Sequence, residues 1–186
     1  MATQTAPTLR DIDEARERLA GVARVTPVYG SETFSRLARR EVWLKAENLQ
    51  RTGSFKIRGA YLRLSRLSPE ERARGVVAAS AGNHAQGVAL AAQLLGIRST
   101  VFMPEGAPIP KERATRGYGA DVVFHGAVLE EALAAARGFA DETGAILIHP
   151  FDHADIVAGQ GTLGLELVEQ APDLSTVLVP TGGGGL

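Results

Sequence analysis

The 186-residue chain contains no cysteine, carries almost no net charge and has no long apolar run. The missing cysteine excludes disulfides, thiolate catalysis and cysteine-ligated metals. Its 20 basic and 21 acidic residues give a formal net charge of -1, which provides no field to attract nucleic acid or an anionic membrane. No apolar run is long enough to span a bilayer, and the polar segment 1–10 is not typical of a signal peptide. These absences indicate a cytoplasmic protein without nucleic-acid or membrane partners.

Short apolar segments alternate with amphipathic ones after a loose tail at residues 1–7. Buried strands that alternate with helices are typical of α/β proteins with parallel sheets flanked by helices, so we expect an α/β fold. The predicted helices are 9–21, 32–39, 55–65, one beginning near 69, 84–95, 110–117, 127–142 and 154–169. The predicted strands are 42–46, 76–79, 99–103, 121–124, 145–148 and 176–179.

The segment Gly53-Ser54-Phe55-Lys56-Ile57-Arg58-Gly59-Ala60 places one lysine beside an aromatic ring and among small or apolar residues. Burial in such surroundings lowers the pKa of a lysine and makes its neutral amine available. A neutral amine attacks carbonyl groups, which is the chemistry of a Schiff base. A lysine whose ammonium lies in water fits this segment as well, so the rest of the sequence has to decide.

Two further loops have the composition of anion-binding sites. Consecutive glycines let backbone N–H groups converge on a phosphate, and four of them follow a predicted strand: Gly182, Gly183, Gly184 and Gly185. A second loop enters a predicted helix, where free N–H groups can bind a carboxylate; it contains Ser80, Ala81, Gly82, Asn83 and His84. A turn forced by packing, or an N-cap at Ser80 or Asn83, would use the same residues. Because ligands collect at the carboxyl ends of parallel strands, we expect loops 52–56, 80–84 and 181–185 to meet there.

The four histidines do not suggest a metal site. His149 and His153 have helical spacing, but Pro150 interrupts the helix that would place them on one face, so we expect no metal. His84 either orients its loop or has a purely structural role.

Taken together, the three loops resemble those of the threonine dehydratases (threonine ammonia-lyases), members of the fold type II pyridoxal-phosphate enzymes. Segments 102–104, 118–123 and 156–162 are also similar. The resemblance implies a tryptophan synthase β-like architecture, with 53–147 as a small domain and with 1–52 and 148–186 as parts of an incomplete larger domain. It also implies C-terminal truncation, weak or no activity of these residues alone, and a homo-oligomer at full length.

The resemblance implies a role for each motif. Lys56 would hold pyridoxal 5'-phosphate as a Schiff base, with Phe55 against the pyridine ring and Asn83 bonded to the 3′ hydroxyl. Gly182 to Gly185 would bind the phosphate, and Ser80 to His84 would bind the substrate carboxylate. The implied reaction is a β-elimination in which Lys56 removes the Cα proton. It converts L-threonine to 2-oxobutanoate and ammonia, and L-serine to pyruvate and ammonia.

Three alternatives stay open. Serine racemases resemble the chain closely but carry a second serine where this chain has Ala81, which offers no acid or base and therefore favours elimination. A Rossmann-type oxidoreductase would explain the strand–helix alternation, but the chain lacks a Gly-x-Gly-x-x-Gly after its first strand. A non-catalytic binding module built on an inactive fragment would differ from both in binding no cofactor at all.

Overall fold

The computed structural model describes residues 6–186, so residues 1–5 of the expected tail lie outside the described part. The helices lie at Leu9–Leu19 (α1), Glu32–Ala38 (α2), Lys56–Ser65 (α3), Pro69–Arg74 (α4), Asn83–Leu95 (α5), Ile109–Gly117 (α6), Leu129–Thr143 (α7) and Ala154–Gln170 (α8). The strands lie at Val28–Gly30 (β1), Trp43–Lys45 (β2), Val76–Ala79 (β3), Ser99–Met103 (β4), Asp121–Phe124 (β5) and Ile146–Leu147 (β6). Over residues 6–186, no helix is both long and apolar enough to cross a membrane.

A parallel sheet of four strands forms the centre of the fold, in the order β5-β4-β3-β6. All residues of β3 are buried, because helices cover both of its faces. Val76 and Ala78 pack on the side of α3 and α5, whereas Val77 and Ala79 pack on the side of α7. This two-residue alternation confirms the α/β fold expected from the sequence.

The strands differ from the prediction in two places. β1 was not predicted, and it pairs with β2 in an antiparallel two-stranded sheet instead of joining the parallel one. Residues 176–179, predicted as a strand, have no regular secondary structure. A strand requires a neighbour that accepts and donates its backbone hydrogen bonds, and within residues 6–186 this segment pairs with no strand. The apolar pattern alone could not reveal that.

Helix α3 crosses α8 at a point where both helices carry glycine. A Cβ built on Gly159 would lie 2.6 Å from the Cα of Gly59 and 2.7 Å from the backbone oxygen of Arg58. Such a contact is with backbone atoms, which cannot move aside as a flexible side chain would. The absence of side chains at both positions therefore sets the distance between the helix that begins at Lys56 and α8.

We expect Gly159→Ala to lower the free energy of unfolding by about 1–3 kcal/mol, because its methyl group forces the two helices apart. Gly164→Ala on the same helix is the matched control, since a Cβ there meets nothing within 4 Å. That variant should gain roughly 0.5–1 kcal/mol from the higher helix propensity of alanine. Urea unfolding followed by circular dichroism measures both, and equal effects of the two substitutions would contradict the close crossing.

Candidate active site

The candidate site lies where two neighbouring strands end. Loop 80–84 follows β3, and residues 148–153 follow β6, which pairs in parallel with β3. The two loops therefore emerge at the same edge of the sheet, the edge at which α/β proteins bind ligands. Of the three loops expected there, only 80–84 directly follows a strand of the parallel sheet. Loop 52–56 follows β2 through two short 3₁₀ turns, and loop 181–185 follows no strand.

Lys56 is the first residue of α3 and is partly buried. Its Nζ donates a hydrogen bond to the backbone oxygen of Pro150 at 2.6 Å and lies 5.2 Å from the centre of the Phe55 ring. Burial lowers the pKa of Lys56, as the sequence predicts, and no carboxylate among residues 6–186 forms a salt bridge with it. The positive end of the α3 dipole also disfavours an ammonium at this position. The result is an amine that loses its proton more readily than a free lysine.

The glycine segment is brought directly against this amine. A Cβ built on Gly185 would lie 2.8 Å from Lys56 Nζ and 3.2 Å from Phe151 Cβ. A Cβ on Gly183 would lie 3.0 Å from the Phe151 ring, and Gly184 has a φ of +76°, which favours glycine. Two motifs more than a hundred positions apart in sequence therefore share one site, and Gly183 and Gly185 pack closely against Phe151 and the lysine.

Loop 80–84 is shaped by its own backbone. The N-cap of α5 is Gly82, and no side chain caps the helix, so an N-cap role for Ser80 or Asn83 is ruled out. Ser80 Oγ instead accepts a hydrogen bond from the Gly82 N–H at 3.1 Å, which bends the loop. The first N–H groups of α5 are thereby left available for an anion beside the exposed side chain of Asn83. Ala81 contributes no polar side-chain group to this loop.

His84 has a structural role. Its ring is buried, and Nε2 donates to the backbone oxygen of Ile148 at 2.9 Å, which ties the first turn of α5 to the end of β6. Burial lowers the pKa of His84 to about 4, outweighing the opposite effect of the bond to Ile148. At neutral pH the imidazole is therefore uncharged and acts as a fixed link between the two loops.

Because the unfolded chain protonates His84 near its ordinary pKa of 6.5 and the folded chain only near 4, we expect stability to fall as pH drops between these values. Above pH 6.5 this histidine causes no loss of stability. Near pH 4 the loss that it causes reaches about 3 kcal/mol. The measurement is urea unfolding across that range. His84→Gln should remove this component, and His125→Gln, at an exposed position, should retain it. Identical pH profiles for the His84 variant and the parent would contradict a buried neutral imidazole.

A buried ion-pair network holds the first turn of α3. Arg58 is 1% exposed, and its Nε and Nη2 donate to the two carboxylate oxygens of Glu47 at 3.0 and 2.8 Å. Its Nη1 donates to Glu166 on α8 at 2.6 Å, and Glu166 also pairs with Lys45 on β2. Three separate parts of the chain are thus fixed around the residue that lies two positions after Lys56.

The turn at residues 149–152, which holds the lysine, was not predicted from the sequence. Nδ1 of His149 accepts hydrogen bonds from the N–H groups of Phe151 and Asp152, at 3.3 and 2.7 Å. This turn points the Pro150 carbonyl at Lys56 and places the Phe151 ring against the glycine segment. Burial lowers the pKa of His149 and favours the neutral ring that this role requires. Pro150, which interrupts the helix that a pair of metal-binding histidines would need, was the signal in the sequence for this turn.

Comparison with known proteins connects this geometry to a family. A family model described as pyridoxal-phosphate dependent enzyme matches residues 19–186. L-threonine ammonia-lyase of Thermotoga maritima is 54% identical over 179 residues, which are 96% of this chain and 45% of that protein. A solved structure of maize serine racemase superposes with a TM-score of 0.93 at 39% identity, over 97% of this chain and 55% of that one. Threonine deaminase isoform 2 of Solanum lycopersicum gives 0.86 and 39%, over 97% of this chain and 51% of that one.

The chain spans about half the length of the curated relatives it matches. The matched part includes each loop described above, from the lysine segment to the four glycines.

Proposed function

This chain belongs to the pyridoxal-phosphate dependent enzyme family, and from that premise we propose that the protein is a threonine ammonia-lyase. It would convert L-threonine to 2-oxobutanoate and ammonia, and L-serine to pyruvate and ammonia. The observation that carries the proposal is the partly buried Lys56 amine, bonded to Pro150 and lying against Gly185. Relatives about half identical to the chain bear the names L-threonine ammonia-lyase and L-threonine dehydratase, which supports this choice of reaction.

The residues present fit pyridoxal 5'-phosphate. An amine with a lowered pKa suits covalent attachment of the cofactor aldehyde, and the glycine segment beside it has the N–H-rich backbone that suits a phosphate. The hydroxyl of Ser54, two positions before the lysine, is buried and has no hydrogen-bond partner among residues 6–186. Buried polar groups are normally satisfied, so an unpartnered one next to the lysine is consistent with a ligand.

We assign the cofactor to Lys56, Phe55, Asn83 and the glycines 182–185. Lys56 would be its covalent anchor, Phe55 would pack on the ring, and Asn83 would bond the 3′ hydroxyl. The phosphate would lie on the glycine segment. The substrate carboxylate would lie on loop 80–84, where the uncapped start of α5 offers N–H groups and the positive end of a helix dipole.

The bound cofactor supplies an electron sink next to the substrate Cα. Lys56 in its neutral form accepts the Cα proton at Nζ, acting as general base. The Pro150 carbonyl then stabilises the resulting ammonium, because it already accepts a hydrogen bond from Nζ. Ala81 has no group that could deliver a proton to the opposite face of the substrate, so the site favours elimination over racemisation.

We further propose that 53–147 forms the small domain, with 1–52 and 148–186 in the larger one. This division is supported by the parallel sheet, whose strands all fall between residues 76 and 147. Cytoplasmic location and homo-oligomer formation are part of the same proposal.

The test is turnover by the full-length gene product supplied with pyridoxal 5'-phosphate. We expect 2-oxobutanoate from L-threonine, and more pyruvate than D-serine from L-serine. Keto-acid derivatisation measures the first two products, and chiral chromatography measures the third. Predominant D-serine formation without 2-oxobutanoate would favour the racemase alternative, which the maize neighbour keeps open. Absence of all three products would contradict an active enzyme.

A further inference from the structure

Lys111 lies on α6 and reaches the candidate site from the side. Its Nζ donates a hydrogen bond to Oδ1 of Asn83, the first residue of α5, at 2.7 Å. The two residues are 28 positions apart, and their contact is made possible because α6 packs against α5. No motif in the sequence singled out this lysine.

The chemistry of the two groups fixes the orientation of the Asn83 amide. An ammonium has three donors and no acceptor, so only the amide oxygen can face it. The Asn83 NH₂ group therefore points away from Lys111, and it can only donate. Within residues 6–186 no carboxylate forms a salt bridge with Lys111, so the ammonium has no directly paired counter-charge.

We infer that Lys111 is a positioning residue that makes Asn83 a hydrogen-bond donor towards the cofactor. This inference rests on the proposed function, in which Asn83 bonds the 3′ oxygen of pyridoxal 5'-phosphate. A fixed donor and a nearby positive charge both stabilise that oxygen in its ionised form and disfavour the hydroxyl. Without Lys111, the Asn83 amide can rotate and offer its oxygen instead, which accepts a bond from the hydroxyl.

The experiment compares Lys111→Met, which removes the donor and the charge, with Lys111→Arg, which retains both. Arg113→Met is the control, because it removes a positive charge from an exposed position on the same helix. The readout is the pH dependence of the visible absorbance of the bound cofactor in the full-length gene product. We expect the midpoint in Lys111→Met to rise by about 0.5–1 pH unit. The Lys111→Arg and Arg113→Met proteins should stay close to the parent.

The outcomes separate this inference from the function on which it rests. An unshifted midpoint in Lys111→Met, with the cofactor still reducible by borohydride onto Lys56, would overturn the role of Lys111 and leave the proposed function intact. An equal shift in Arg113→Met would also overturn it, because a general change in charge would then explain the result. If the parent protein binds no pyridoxal 5'-phosphate, the proposed function and this inference both fail.

Discussion

Replacing Lys56 with alanine is expected to abolish covalent trapping of pyridoxal 5'-phosphate on the active-site segment. In the parent chain, borohydride should reduce the adduct onto Lys56, and peptide mapping is unambiguous because the only other lysines are Lys45 and Lys111. Lys45 is held in a buried pair with Glu166, and Lys111 donates to Asn83. In the full-length product the same substitution should lower turnover of L-threonine by roughly 10²–10⁴-fold from the loss of the general base alone.

Lys56→Arg tests whether charge and hydrogen bonding alone are sufficient at this position. A guanidinium keeps the positive charge and the hydrogen-bond donors but does not lose its proton in proteins, so it can neither form the adduct nor accept a proton. We therefore expect Lys56→Arg to be as inactive as Lys56→Ala.

Trapping in the parent should also become half-maximal at a lower pH than for a free lysine side chain, because burial lowers the pKa of Lys56. Retained turnover in either variant, or a label on Lys45 or Lys111 alone, would overturn the assignment.

The second large effect is expected at Arg58. Arg58→Met should lower the free energy of unfolding by about 3–5 kcal/mol, because it leaves the carboxylates of Glu47 and Glu166 buried without their main partner. Burial alone would lower the pKa of Arg58, but the hydrogen bonds that it donates to Glu47 and Glu166 outweigh burial and raise the pKa, so the guanidinium stays charged. Urea unfolding at neutral pH measures the loss.

A double variant shows whether the loss of stability comes from unpaired buried carboxylates or from lost packing. Glu47→Gln in the Arg58→Met background removes one of the two carboxylates and should recover part of the lost stability. Arg58→Lys should cause an intermediate loss of stability, since an ammonium cannot form the bidentate contact with Glu47. A loss below about 1 kcal/mol for Arg58→Met, a value typical of exposed pairs, would contradict the buried network. Because Lys56 is two residues away, trapping at Lys56 should weaken in parallel.

Most of the regular structure was predictable because its causes are local. β3, β4 and β5 begin and end at the predicted residues, as each is a short apolar segment between turn residues. The predicted helices are present with ends shifted by one or two residues, which is the usual uncertainty of a helix end. The wrongly predicted strand at 176–179 has the same apolar composition, but a strand also depends on a partner that its own residues do not encode.

The motifs of the site were predictable, but the contacts between them were not. The sequence by itself determined that Lys56 lies in an apolar segment, that loop 80–84 precedes a helix, and that residues 182–185 have no side chains, because these are properties of neighbouring residues. Only the tertiary structure decided that Gly185 lies against Lys56, that Pro150 accepts a hydrogen bond from Lys56, and that Lys111 donates one to Asn83. The physical reason is that such contacts join residues from about 30 to 130 positions apart, and their distance is set by the packing of helices and strands between them.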